Sequence, residues 1–146
     1  MIKLETIGML DRVVVNPVIK VNTAVANYTF ITYDGETYLV ANTVTGDDSY
    51  KDDVIFAANE CLNGYLVKSL EGQKLVADEK HIAYNSGEDY DDITAGTTLM
   101  KIDNSGKLII CESAPTTGVY FKVTDNCRLT EKAVKLLILV ADATGE

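Results

Sequence analysis

The residues able to do chemistry in this chain are few and scattered. His81 is the only histidine, so a serine or cysteine nucleophile would have one imidazole available as its base. Acidic pairs stand at Asp47–Asp48, Asp52–Asp53 and Asp91–Asp92. Neighbouring side chains on a strand point to opposite faces, so these pairs could serve a two-carboxylate hydrolase only if the fold joined distant members. We expect no enzyme.

Metal and cofactor sites are also poorly supported. Cys61, Cys111 and Cys127 are widely spaced, and an odd count without a Cys-x-x-C pair is typical of reduced thiols. A zinc site would need His81 as well. Residues 45–53 hold several carboxylates but lack the alternating oxygen ligands and the closing Glu of a calcium loop. No glycine-rich phosphate loop is present. We expect no cofactor and no bound metal.

Charge and hydropathy narrow the classes of partner. The 22 acidic residues outnumber the 13 basic ones, for a net charge of −9. Such a surface repels phosphate backbones, so we expect no nucleic-acid partner. No apolar run reaches the roughly 18 residues of a membrane-spanning helix, so we expect no membrane partner. The first residues lack the apolar stretch of a secretory signal, so we expect the protein to be made and used without export by that route.

The elements that would position any site are predicted to be strands. The 146 residues fit one domain, and a hydrophobic content of 47% supports a packed core. Val, Ile, Thr and Tyr are abundant, and turn pairs recur every eight to fifteen residues. The sequence predicts a mainly β, compact, single-domain barrel or sandwich with little helix.

Turn chemistry predicts where several strands begin and end. Asp34-Gly35 joins two β-rich arms, which predicts a hairpin over residues 28–40 with a type I′ turn. We expect Tyr28, Phe30 and Tyr38 to bring their rings into cross-strand contact. Residues 54–62 could form a buried strand or a short helix. Asn63-Gly64 is typical of a turn. The further strands are predicted at residues 65–70, 74–77, 107–111, 118–124 and 133–141.

The first 22 residues form a separate prediction, and residues 23–146 are assigned to the β-rich domain. Pro17 lacks an amide donor, so this extended N-terminal segment suits a sheet edge or an arm that adds a strand to a neighbour. The alternative is that these residues form the domain's own first strand, and the two interpretations have equal weight. The candidate interaction residues are the apolar ones and the proline: Ile2, Leu4, Ile7, Leu10, Val13, Val15 and Pro17.

The second half of the chain resembles the head decoration proteins of tailed bacteriophages. The resemblance rests on Ile-Thr-Ala-Gly-Thr-Thr-Leu at residues 93–99, Asn-Ser-Gly-Lys-Leu at 104–108, Thr-Gly-Val at 117–119 and the Val- and Leu-rich stretch at 134–140. Residues 42–50 and 64–77 are also similar to phage virion proteins.

This resemblance implies a β-tulip type of fold and a structural protein of the virion. Such a protein is made in the host cytoplasm, binds the outer surface of the assembled capsid and stabilises the shell. Its implied partners are the major capsid protein and further copies of itself, as a homotrimer.

Two alternative functions stay open from the sequence. One is a virion adhesin or carbohydrate-binding module, in which exposed Tyr84 and Tyr90 would stack on sugars beside Asp-rich loops. The other is a tail-tube or head-completion protein that assembles into rings.

Overall fold

The computed structural model describes residues 2–4, 14–41, 55–128 and 132–141. The protein is mainly β, with 53% of the described residues in strands and a sheet curled into a half-barrel. Within the described ranges, helix is confined to three short 3₁₀ segments, Val67–Leu70, Glu79–His81 and Tyr90–Asp92. The predicted fold class, a compact β-rich domain with little helix, is confirmed.

Thirteen strands are found in the described ranges. They are β1 Ile2–Leu4, β2 Val15–Ile19, β3 Val25–Ala26, β4 Phe30–Tyr33, β5 Glu36–Val40, β6 Ile55–Phe56, β7 Leu62–Leu66, β8 Lys74–Asp78, β9 Ile82–Ala83, β10 Leu99–Ile102, β11 Leu108–Cys111, β12 Gly118–Arg128 and β13 Lys132–Ala141.

These strands form a large sheet, a small sheet and a two-stranded pair. The large sheet has the order β1-β8-β13-β12-β10-β11-β9, and the small sheet has the order β2-β7-β5-β4. The pair joins β3 to β6. The longest hairpin, β12–β13, runs from the pairing of Gly118 with Ala141 to that of Arg128 with Lys132. This hairpin contains the two longest strands of the large sheet and lies inside it, between β8 and β10.

The predicted hairpin at residues 28–40 is present as β4 and β5. Asp34 and Gly35 both have positive φ, 53° and 78°, as a type I′ turn requires. The predicted ring contacts are different, however. Phe30 packs on Phe121 of β12, with ring centroids 5.7 Å apart, and Tyr38 lies against Tyr33 at 6.4 Å. The rings separate because Phe30 is buried in the core that the two sheets share.

The predictions for residues 54–70 are wrong in part. The described residues of the first stretch form the two-residue strand β6, a turn at Asn59, whose φ is +66°, and the first residue of β7, Leu62. Asn63-Gly64 lies inside β7 and is no turn. A Cβ at Gly64 would stand 2.5 Å from Ile19 Cδ1 and 3.1 Å from Tyr38 Cβ. This glycine therefore lets β2 and β5 lie close on either side of β7.

The core lies mainly between the two sheets. Phe121, Leu136 and Ile138 of the large sheet are fully buried, and Phe30 and Leu39 of the small sheet belong to the same cluster. Each such side chain contributes about 1.5 to 3 kcal/mol by its burial. A second, smaller cluster contains Ile19, Val25, Val40 and Leu62. The shared core holds the small sheet, and with it β2, against the half-barrel.

Candidate interaction surfaces

Strand β2 is an outer strand of the small sheet. Among the described strands its only neighbour is β7, where Val15 lies opposite Tyr65 and Ile19 opposite Leu62. The register is irregular between Asn16 and Ile19, around Pro17. The Val18 amide donates to Asn16 Oδ1 at 3.1 Å. Proline and a bulge are the features that edge strands carry, because both interrupt regular pairing.

Three valines at this edge have exposed side chains. Val14 is 51% exposed, Val15 is 42% exposed and Val18 is 63% exposed. The adjacent Ile19 is fully buried in the smaller core cluster, so β2 is fixed to the domain from its inner side. We call Val14, Val15 and Val18 the valine edge. Ile55 of β6 is the other large apolar residue that is exposed in the described part of the chain.

The start of the valine edge is held by hydrogen bonds. The Val14 amide donates to Ser69 Oγ at 3.0 Å, and the Val14 carbonyl accepts from the Leu66 amide at 2.8 Å. Ser69 Oγ in turn donates to the Leu66 carbonyl at 2.6 Å. An edge ordered in this way loses little conformational entropy when another strand binds it.

The structure separates the predicted interaction residues. Val15 and Pro17 are exposed on β2. Ile2 is 6% exposed and belongs to the main core, in the strand that pairs with β8. Leu4 lies in the same strand, opposite Leu75. Ile7, Leu10 and Val13 lie outside the described residues. Val18 is the most exposed of the valines and was missed, because the prediction took the apolar residues that precede Pro17.

A cleft of about 1070 Å³ lies on another part of the molecule. It is lined by residues 21–32, by the β10–β11 turn at residues 101–107 and by the start of β12 at Gly118 and Val119. The turn is locked to the small sheet, because the Phe30 amide donates to the Gly106 carbonyl at 3.0 Å. The cleft is thus built where the two sheets meet.

The charges that line this cleft are mostly positive. Lys80, Lys101 and Lys107 contribute ammonium groups and His81 contributes an imidazole, whereas Asp103 is the one carboxylate among the described lining residues. This balance is the reverse of that of the whole chain, which has a net charge of −9. No sequence motif indicated it, since the lysines are far apart in the chain. We call this feature the cationic cleft.

Asp103 is committed to the turn that shapes the cleft. Its Oδ1 accepts from the Ser105 amide at 2.9 Å, the Ser105 hydroxyl at 2.7 Å and the Lys107 amide at 3.0 Å. Burial raises the pKa of this carboxyl, but these hydrogen bonds and the charge of Lys107 outweigh burial and hold the pKa below its usual value. The carboxylate therefore stays ionised and organises the loop.

His81 lies beside a buried carboxylate at the wall of the cleft. Its Nε2 is 3.7 Å from Oδ1 of Asp78, which is 1% exposed. The Tyr28 ring meets the imidazole edge-on, with centroids 5.9 Å apart. The sequence singled out His81 as the only histidine but did not indicate Asp78, which comes three positions earlier.

An acidic loop projects at the far end of β12. Tyr90 is flanked in the sequence by Glu88, Asp89, Asp91 and Asp92. Its hydroxyl donates to the Ala133 carbonyl at 2.7 Å. Asp89 caps the short 3₁₀ segment by accepting from the Asp91 amide, and Asp92 accepts from the Asp89 amide. The loop is therefore ordered, and its four carboxylates occupy a defined place.

The two tyrosines of the carbohydrate hypothesis are less exposed than expected. Both are half-buried and pack against the main core. The Tyr84 hydroxyl donates to Glu79 Oε1 at 3.0 Å, and burial followed by this carboxylate raises its pKa above the usual range. The Lys132 ammonium lies 5.3 Å from the centroid of the Tyr90 ring.

The described part of the chain holds neither a metal-ligand cluster nor a membrane-spanning helix. No group of three or more His, Cys, Asp or Glu residues there is placed to hold a metal ion. The same residues contain no helix with the length and hydropathy needed to span a bilayer.

Comparisons with known proteins identify no relative: no protein-family model, no curated protein and no solved structure matches this chain.

Proposed function

We propose that this protein is a virion structural protein that binds the outer surface of an assembled bacteriophage capsid and stabilises the shell. The observation that carries the proposal is the valine edge, an ordered edge strand with exposed apolar side chains. The resemblance of residues 93–140 to head decoration proteins supplies the class of partner. The proposed partners are the major capsid protein and further copies of this chain, as a homotrimer.

An edge strand can bind by adding a strand from its partner. An extended segment of the capsid protein would pair with backbone groups on the outer side of β2, and backbone pairing of this kind supplies affinity. Pro17 has no amide to contribute, and the Val18 amide already donates to Asn16 Oδ1. The exposed Val18 would contact alternate side chains of the added strand. Charged side chains are one means by which natural edge strands avoid pairing, and β2 has no charged residue.

Binding to a lattice would make a modest contact effective. A capsid offers many identical sites, so a trimer would engage several of them at once. The local concentration of the remaining sites then raises the overall affinity without any new contact. A small domain with one edge strand would suffice for this purpose.

The experiment uses empty heads assembled from the major capsid protein of the phage whose genome encodes this chain. Binding is measured by co-sedimentation with the wild-type protein and with two edge variants. Val18→Lys places a charge on the edge and should raise the dissociation constant at least about ten-fold, which corresponds to about 1.4 kcal/mol. Val18→Thr keeps the shape and the β-propensity and should weaken binding less.

Ser113→Lys is the matched control, because it adds the same charge at an exposed position in the loop between β11 and β12 of the large sheet. It should bind heads as the wild type does, and circular dichroism should show the same fold for all variants. Wild-type protein that stays in the supernatant would contradict the proposed function. Equal binding by Val18→Lys and the wild type would remove the valine edge as the contact.

A further inference from the structure

The cationic cleft and the acidic loop lie at opposite ends of the same strand. The cleft is lined by Val119 near the start of β12, whereas the Tyr90 hydroxyl of the loop contacts the carbonyl of Cys127 near the end of β12, at 3.4 Å. Eight residues of strand separate Val119 from Cys127, which is about 26 Å at 3.3 Å per residue. The hydrogen bonds of Tyr90 to Cys127 and Ala133 hold the loop at its own end. The loop is also anchored on β11, where Asn85 donates to the Ile110 carbonyl at 3.3 Å. None of residues 88–92 lines the cleft of the same molecule.

We propose that the cationic cleft of one copy binds the acidic loop, residues 88–92, of a second copy. The inference rests on the self-association that is part of the proposed function, and it names the surfaces that make the contact. Three ammonium groups line the cleft, and four carboxylates are carried by the loop. Both surfaces are ordered before they meet, since the cleft is locked by Phe30 and Gly106 and the loop is capped by Asp89.

Charge complementarity decides for a second copy over a generic anion. The chain has a net charge of −9, so two copies repel each other at long range. A self-contact between unlike patches offsets this repulsion, and lysines outnumber carboxylates among the described residues that line the cleft. Because the paired surfaces are different, the contact is between one end of a molecule and the other end of its neighbour.

The test measures self-association of the full chain by sedimentation velocity over a concentration series. The loop variant carries Glu88→Gln, Asp89→Asn, Asp91→Asn and Asp92→Asn, which removes four charges and keeps the oxygen acceptors of the cap. The cleft variant carries Lys101→Gln and Lys107→Gln. Each variant alone should raise the dissociation constant at least about ten-fold. Raising the salt from about 50 to about 500 mM should weaken the wild-type association in the same way.

Mixing the two variants gives the decisive result. The cleft variant keeps its acidic loop and the loop variant keeps its cleft, so an equimolar mixture should regain association through one intact contact. The control changes Asp47, Asp48, Asp52 and Asp53 to asparagine, which also removes four negative charges. Less repulsion should leave this control associating as well as the wild type or better. The loop variant, in contrast, should associate more weakly than the wild type.

Three results would overturn the inference: a monomeric wild type at every concentration, a mixture that stays monomeric, or a control that weakens as the loop variant does. The outcome is separate from that of capsid binding. A wild type that binds heads but stays monomeric defeats the loop-to-cleft contact alone. A wild type that associates through this contact but ignores heads defeats the proposed function alone.

Discussion

The amide of Phe30 donates a hydrogen bond of 3.0 Å to the carbonyl of Gly106. This bond joins the first residue of β4 in the small sheet to the β10–β11 turn of the large sheet. Gly106 has a φ of +85°, and a Cβ added there would lie 2.4 Å from Thr29 Cγ2 and 2.5 Å from the Phe30 carbonyl oxygen. The joint between the sheets therefore requires a residue without a side chain.

Replacing Gly106 by alanine should lower the free energy of unfolding by about 2 to 5 kcal/mol. The left-handed backbone costs about 1 to 2 kcal/mol for a residue with a Cβ, and forcing the sheets apart costs about 1 to 3 kcal/mol more. Urea denaturation measures the change. Gly72→Ala is the control, since Gly72 has a φ of +84° but open space around it. If both substitutions cost the same, the close approach at Gly106 has no energetic weight.

The sequence predicts the fold well where the determinants are local. Asp34-Gly35 has the turn chemistry of a two-residue hairpin, and the apolar run at residues 133–141 forms β13 nearly as predicted. Gly64 defeats the same reasoning, because its role depends on Ile19 and Tyr38, which are distant in the sequence. The sequence alone does not distinguish a glycine that allows close packing from a glycine that makes a turn.

The pH dependence of stability should depend in part on Asp103. Its pKa is lower in the folded state than in the unfolded state, so the carboxylate stabilises the fold above the ordinary pKa and this contribution is lost as the pH falls. Asp103→Asn should therefore be less stable than the wild type near neutral pH, and the difference should shrink below about pH 4. Urea denaturation at a series of pH values measures it.

Asp125→Asn provides the comparison for that experiment, because it likewise removes a carboxylate, at an exposed position on β12, outside the β10–β11 turn. It should leave the shape of the pH profile close to that of the wild type. A difference between Asp103→Asn and the wild type that persists unchanged into acid would argue against the hydrogen bonds of the turn as its source.

The interaction surfaces could be predicted only in fragments. Val15 and Pro17 were indicated by hydropathy and by the missing amide. Val18 was not, because the prediction took the apolar residues before Pro17 and the exposure of Val18 depends on the tertiary structure. Lys80, Lys101 and Lys107 come together only because the β10–β11 turn docks beside residues 21–32. No spacing rule joins such positions, since their proximity is a property of the sheet order.

The thiols should differ in their reactivity. Burial raises the pKa of Cys111, and the positive charge of Lys101 opposes this only in part. Cys61 is exposed, so iodoacetamide should label Cys61 first near pH 8, and labelling of Cys111 should speed up as the pH rises. Lys101→Met should slow the labelling of Cys111 further without changing the rate of labelling at Cys61. Peptide mass spectrometry over time measures both rates, and equal rates in the native protein would contradict the role of burial.

The hydroxyl of Tyr90 should contribute to stability through the hairpin that it clasps. It donates to the Ala133 carbonyl at 2.7 Å and reaches the Cys127 carbonyl at 3.4 Å, so it spans the two strands near the closed end of β12–β13. Tyr90→Phe removes the donor and keeps the ring against the core, which should cost about 1 kcal/mol in urea denaturation. Tyr33→Phe is the control, because the Tyr33 hydroxyl has no hydrogen-bond partner in the described ranges, and it should change stability by less than about 0.5 kcal/mol. If the two substitutions have equal effects, the ring of Tyr90 and not its hydroxyl holds the acidic loop in place.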